Sequence, residues 1–231
     1  MTNAYQISAE EFSKKRSVFE LCNWLKEKIS EMDELYDFDE IYFEMKGENV
    51  KKLIEEALPM SRLGLYFSTP FNDVHITCYG TDKFPDACIE IEDAFHLRKM
   101  QVEITTTETY NDSVMKRQAL ARNGTVVLTG KAKKKNGEIV VESEFVEVQT
   151  EEQKAIDLMF ERFMDKVTKS NYDNKTAILV CHTYWRPIRL SNRNELAQRT
   201  NKYLRDEKLN IHVFYCYLGQ NVIDEVTIKT K

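Results

Sequence analysis

Apolar positions recur at helical spacing along the first part of the chain. Val18, Cys22, Leu25, Ile29 and Met32 follow one another at intervals of 4, 3, 4 and 3, and Tyr36 continues the series. Such intervals bring side chains onto one stripe of a helix. Ser8, three residues ahead of Glu11, has the spacing of a capping box. One long helix is therefore predicted over 8–36. Its stripe is shorter than three heptads, which favours packing on the chain's own core; as an a/d seam it would instead join two copies into a homodimer. Asp37, Asp39 and Glu40 end the pattern. A second helix is predicted over 48–58, with Val50, Leu53, Ile54 and Leu58 on one face and Pro59 closing it.

The pattern then turns to alternation. Strands are predicted at 75–79, 87–91 and 100–106, with a turn at Gly80-Thr81-Asp82. A short helix follows over 112–122, capped by Asn111 or Asp112. Two β-rich runs, 125–129 and 138–148, flank a loop containing Asn136-Gly137, a pair suited to a hairpin turn. The segment 151–169 is an amphipathic helix with Ala155, Leu158, Met159, Phe163 and Val167 on one side. Thr176–His182 carries an unbroken apolar run of the kind a buried central strand shows. A helix over 192–207 and a strand over 211–218 complete the series. This order predicts an α/β fold: a mixed central β-sheet flanked by helices on both faces. An N-terminal helical arm is expected over 1–40 and an α/β core over 41–231, with a basic helix-hairpin insertion at about 111–149.

Composition sets the class. A chain of 231 residues, 42% hydrophobic and 31% charged, with only 4 prolines and 7 glycines, belongs to a folded globular protein. Its five cysteines (Cys22, Cys78, Cys88, Cys181 and Cys216) form no C-x-x-C pair, so neither a disulfide framework nor a zinc ribbon is expected. The first sixteen residues lack the apolar run of a signal peptide. No segment approaches the roughly 20 apolar residues of a membrane span. A reduced, cytoplasmic protein with no membrane partner is expected.

The net charge of -5 gives no global attraction to nucleic acid, but the charge is segregated. From Ser113 to Lys135 there are seven basic residues and no acid. Lys131, Lys133, Lys134 and Lys135 fall beside the expected hairpin tip, where long cations can reach phosphates. A plain solvated hairpin end is the competing reading.

The stretch richest in chemistry is Phe84-Pro85-Asp86-Ala87-Cys88-Ile89-Glu90, followed by Gln101-Val102-Glu103-Ile104-Thr105. Alternate residues of a strand share a face. With Ala87, Ile89, Val102 and Ile104 turned inward, Asp86 and Glu103 can converge from neighbouring strands. Two carboxylates suit one Mg²⁺, with waters filling its other positions. These residues resemble the PD-(D/E)xK motif of the restriction-endonuclease-like superfamily, over roughly 43–218. The resemblance implies a restriction-endonuclease-like core, metal binding by Asp86 and Glu103, and Mg²⁺-dependent hydrolysis of DNA phosphodiester bonds in a defence, repair or mobile-element setting. The motif's lysine position holds Thr105, which cannot supply a positive charge. Lys116 or Arg117 on the following helix would then have to reach in. The alternative is a catalytically inactive nuclease-like fold that binds nucleic acid or a protein partner, as an inhibitor or anti-defence factor.

No other chemistry competes. His75, His96, His182 and His212 lack metal-ligand spacing, and His182 is expected to be a packed, hydrogen-bonded residue. Neither a P-loop, a dinucleotide-binding glycine motif nor a nucleophile motif occurs.

Overall fold

Alternation in the middle of the chain and apolar runs near its end build one mixed sheet. The computed structural model describes residues 5–35, 49–80, 84–107, 130–135, 138–143, 148–168, 172–182 and 188–226. Its strands are β1 (Arg16–Ser17), β2 (Asn72–Cys78), β3 (Ala87–Asp93), β4 (Leu97–Thr106), β5 (Gly130–Lys135), β6 (Glu138–Ser143), β7 (Thr176–His182), β8 (His212–Tyr217) and β9 (Val222–Val226). Seven of them form a sheet in the order β1-β2-β3-β4-β7-β8-β9, and β5 and β6 form a separate hairpin. β1 to β4 run antiparallel to their neighbours, β4-β7 and β7-β8 are parallel, and β9 returns antiparallel at the edge. The mixed α/β class is thus present.

Helices cover both faces, but unequally. On the first face lie α1 (Ala9–Phe12), α2 (Val18–Leu35) and α3, a continuous helical segment made of Val50–Lys52, a π-helical Leu53–Ala57 and Leu58–Phe67. There Leu21, Leu53, Met60 and Leu63 pack on Ile76, Ile89, Val102, Leu179 and Phe214. On the second face lie α4 (Val148–Val167) and α5 (Leu190–Asp206). Ile156, Met159, Phe163 and Leu196 pack there on Ile178, Val180, Val213 and Tyr215. All-buried β7 separates the two cores, as its apolar run implies.

The N-terminal arm differs from the prediction. The helix over 8–36 is broken into α1 and α2, with β1 pairing on β2 between them. Two capping devices explain the break. The Ser8 hydroxyl accepts from the Glu11 amide, but the Glu11 carboxylate turns to the Trp24 indole. A full capping box sits at Ser17 and Glu20: the Ser17 hydroxyl accepts from the Glu20 amide, and the Glu20 carboxylate accepts from the Ser17 amide at 2.7 Å. Arg16, buried between them, donates to the Glu11 and Lys14 carbonyls and lies 4.1 Å over the Trp24 ring. The Val18–Leu25–Met32 stripe is buried in the first core, with Cys22 and Ile29 against it. The apolar seam is therefore used within the chain; Tyr36 lies outside the described residues.

Pro59 does not end its helix either. The Leu58 amide donates to the Leu53 carbonyl, five residues back. This wider turn lets Pro59, which has no N–H and clashes with a carbonyl four residues back, enter the next α-helical turn. Further along, Gly64 marks a close approach. A Cβ there would lie 2.5 Å from Ile76 Cδ1 and 2.8 Å from Val18 Cγ2. Gly64→Ala is expected to lower stability by about 1–3 kcal/mol through overpacking, outweighing the roughly 1 kcal/mol of helix propensity gained. An unchanged or raised urea midpoint would show that the three elements have room to part.

The expected hairpin is present, but with a different first strand. Lys131, Lys133, Lys134 and Lys135 lie within β5, not in a loop, and Lys135 pairs with Glu138. The second strand stops at Ser143, and Val148 already belongs to α4. The segments 112–122 and 125–129 and the Asn136-Gly137 pair lie outside the described residues. Among the described residues, no helix is long and apolar enough to cross a membrane.

Candidate active site

Asp86 and Glu103 lie where β3 begins, one step beyond its last pair with β4, and their charges interact. β3 pairs with β4 as far as Ala87 opposite Val102, and one further step of that register sets Asp86 opposite Glu103. The Asp86 carbonyl accepts from the Tyr79 amide at 2.9 Å. Its carboxylate Oδ2 accepts from the Ile104 amide at 2.7 Å, replacing the backbone partner that β3 no longer provides. The side chain is thereby held in place. Burial pushes the Asp86 carboxyl above the ordinary carboxylate range. The Ile104 N–H opposes this, the Glu103 charge adds to it, and the Lys166 and Lys52 charges oppose it.

Glu103 points to the second face, as the alternation on β4 requires. Its Oε1 accepts from the Lys166 ammonium at 2.5 Å; the side chains are 12% and 28% exposed. Its Oε2 is buried with no hydrogen-bond partner. A buried carboxylate oxygen without a donor is costly, and a cation is one way to satisfy it. Among the described residues, no group of three or more His, Cys, Asp or Glu side chains could hold a metal. A metal ion here would have the Asp86 and Glu103 carboxylates as its side-chain donors. Those hard oxygen donors fit Mg²⁺, which keeps several waters and binds through one or two carboxylates plus phosphate oxygens.

Of the residues named from the sequence, Asp86 and Glu103 are brought together. Thr105 lies two residues along β4 on the Glu103 face, partly buried, opposite Val180. Lys116 and Arg117 lie outside the described residues. Lys135 is exposed at the end of β5. His182 is a packed histidine, 3% exposed, with Nδ1 3.4 Å from the Thr107 hydroxyl.

The residue that sequence reasoning missed is Lys166. Its helix has Met159, Phe163 and Val167 buried on the sheet. Lys166, three residues after Phe163, falls on the margin of that stripe. A lysine at the border of an apolar face was the available signal. Lys52 on α3 is a second nearby cation, donating to the Gly80 carbonyl at 2.7 Å.

Comparison with known proteins adds no name: no protein-family model, curated protein or solved structure matches the chain.

Proposed function

We propose that the chain is a Mg²⁺-dependent nuclease acting on DNA phosphodiester bonds, with Lys166 in the role that Thr105 cannot fill. The observation that carries this reading is the Lys166 ammonium on Glu103 beside Asp86. The order helix, three-strand meander, helix, strand, helix, strand supports the restriction-endonuclease-like resemblance. Fold alone would not fix function; the two acids with one cation are what point to phosphoryl chemistry.

Asp86 and Glu103 would hold the ion through their carboxylate oxygens. A bound Mg²⁺ supplies a Lewis acid for the phosphodiester and an acidified water as nucleophile. The Ile104 amide keeps Asp86 oriented. Lys166, anchored on α4, places a positive charge where negative charge grows on the phosphoryl oxygens. Lys131, Lys133, Lys134 and Lys135 would serve as further cations for DNA phosphates.

Calorimetric titration with Mn²⁺ tests the site directly. Wild type is expected to bind one ion per chain, and Glu103→Ala none, with Glu103→Gln as the variant that keeps the side-chain volume. Equal heats in all three would overturn the metal site and leave the non-catalytic binding role as the better account.

A further inference from the structure

The sheet exposes large apolar side chains at the end away from Asp86. Phe71 is 86% exposed, Phe95 88% and Leu97 62%. The register gathers them. Asn72 pairs with Asp93, so Phe71 precedes β2 beside the β3–β4 turn that holds Phe95. Leu97 lies opposite Glu92, and Asp73 lies opposite Glu92 from the other side. Asp73, Glu92 and Leu97 therefore make one exposed row across three strands, about 20 Å along β3 from its start. The turn does not need the Phe95 ring: the Asp93 carboxylate shapes it by accepting from the Phe95 and His96 amides at 2.8 Å. Exposed apolar side chains gathered in this way mark a contact surface. A pocket of about 630 Å³ shares Asp73 with the row and is also lined by Phe19, Pro70, Val74 and His75.

The charges select what would cover it. Asp73 and Glu92 are like charges directly opposite on neighbouring strands, an arrangement that destabilises a sheet. Among the described residues neither carboxylate has a hydrogen bond or an ion pair. Half-exposed Asp93 adds a third acid at the turn. Lys15 and Lys99 are taken up by Glu90, one row further along. Arg98, on the opposite face, lies against His212 and the Phe67 ring. Phosphates of a nucleic acid or an anionic lipid surface would be repelled by this row. A second copy joined by a twofold axis would set the same acids against one another. A guanidinium, by contrast, pairs with carboxylates through its planar fork and stacks on aromatic rings, and both kinds of partner stand side by side here.

We propose that this end of the sheet docks an arginine-bearing, apolar segment of a partner protein. Its cations seat on Asp73 and Glu92, relieving their repulsion, and its apolar side chains cover Phe71, Phe95 and Leu97. The proposal goes beyond the nuclease reading and does not depend on it.

Anisotropy of a short fluorescein-labelled peptide of alternating Arg and Leu tests the surface. Wild type is expected to bind it saturably at low salt and to leave the matching Glu-Leu peptide unbound. Phe71→Ser/Phe95→Ser and Asp73→Asn/Glu92→Gln are each expected to weaken binding about tenfold or more. Circular dichroism checks that each variant folds. The free chain offers a second readout: Asp73→Asn should raise the urea midpoint, because relief of the like-charge pair needs no partner. Variants that bind like wild type, equal binding of the Glu-Leu peptide, or no binding by wild type would each overturn the surface. A lowered urea midpoint in Asp73→Asn would overturn the repulsion that selects a cationic partner. Sedimentation showing a dimer that Phe71→Ser/Phe95→Ser dissolves would give the surface to a second copy instead. All these variants should leave the Mn²⁺ titration unchanged, so failure of the docking surface and failure of the metal site are separate results.

Discussion

Lys166→Met is expected to reduce Mg²⁺-dependent cleavage of a labelled oligonucleotide by at least about a hundredfold while leaving Mn²⁺ binding intact. The rate loss follows from removing a fixed positive charge from the developing phosphoryl charge, an effect of the size seen when one stabilising donor is deleted. Metal binding is retained because the two carboxylates remain, and it is expected to tighten, since the ammonium no longer occupies Glu103 Oε1. Lys166→Arg keeps the charge but not the compact ammonium, and intermediate activity is expected of it. Wild-type cleavage by Lys166→Met would remove the lysine from the mechanism and return the question to Thr105 and its neighbours.

The second large effect is on stability against pH. Burial lowers His182 from its ordinary 6.5 to about 4, so the folded chain holds it neutral where the unfolded chain takes up a proton. The unfolded state binds more protons between those two values, and stability therefore rises with pH across that window. This group's contribution is fully present above 6.5 and is lost as the pH falls toward 4, about 3 kcal/mol in all. Urea midpoints between pH 7 and pH 4 measure it, with His182→Gln as reference. A reference variant with the same pH slope as wild type would place the acid sensitivity elsewhere.

Much of the sheet was legible because its strands carry their own signals. The Ala177-Ile178-Leu179-Val180-Cys181 run could only be buried on both sides, and β7 occupies the predicted interval. Alternation around Glu103 set its face correctly, since Val102 and Ile104 are buried in the first core. Asp86 was harder to place. It precedes β3, and what holds it is a hydrogen bond from an amide 18 residues later. Lys166 was beyond reach for a related reason: the pair it forms spans 63 positions, and periodicity reports faces, not partners. The arm was misread because an unbroken i, i+3, i+4 stripe hid the second capping box at Ser17-Val18-Phe19-Glu20. Pro59 was misread because the rule for proline assumes α-helical geometry, which the π-helical turn relaxes.

The parallel join between β4 and β7 has a consequence for how the chain is made. Gln101 pairs with Thr176, 75 positions later. A parallel neighbour cannot arrive through a tight turn. On a ribosome adding about 5–20 residues each second, β4 emerges roughly 4–15 seconds before its partner. The antiparallel meander and the helices of the first face can gather in that interval, leaving the β4 edge without its partner on the nascent chain. That edge belongs to the strand carrying Glu103, with Met100, Val102 and Ile104 on its apolar side. Unpaired edges of this kind invite association with other chains, so crowded translation is where this protein is most exposed to aggregation, and slowing the ribosome between 107 and 176 would prolong that exposure.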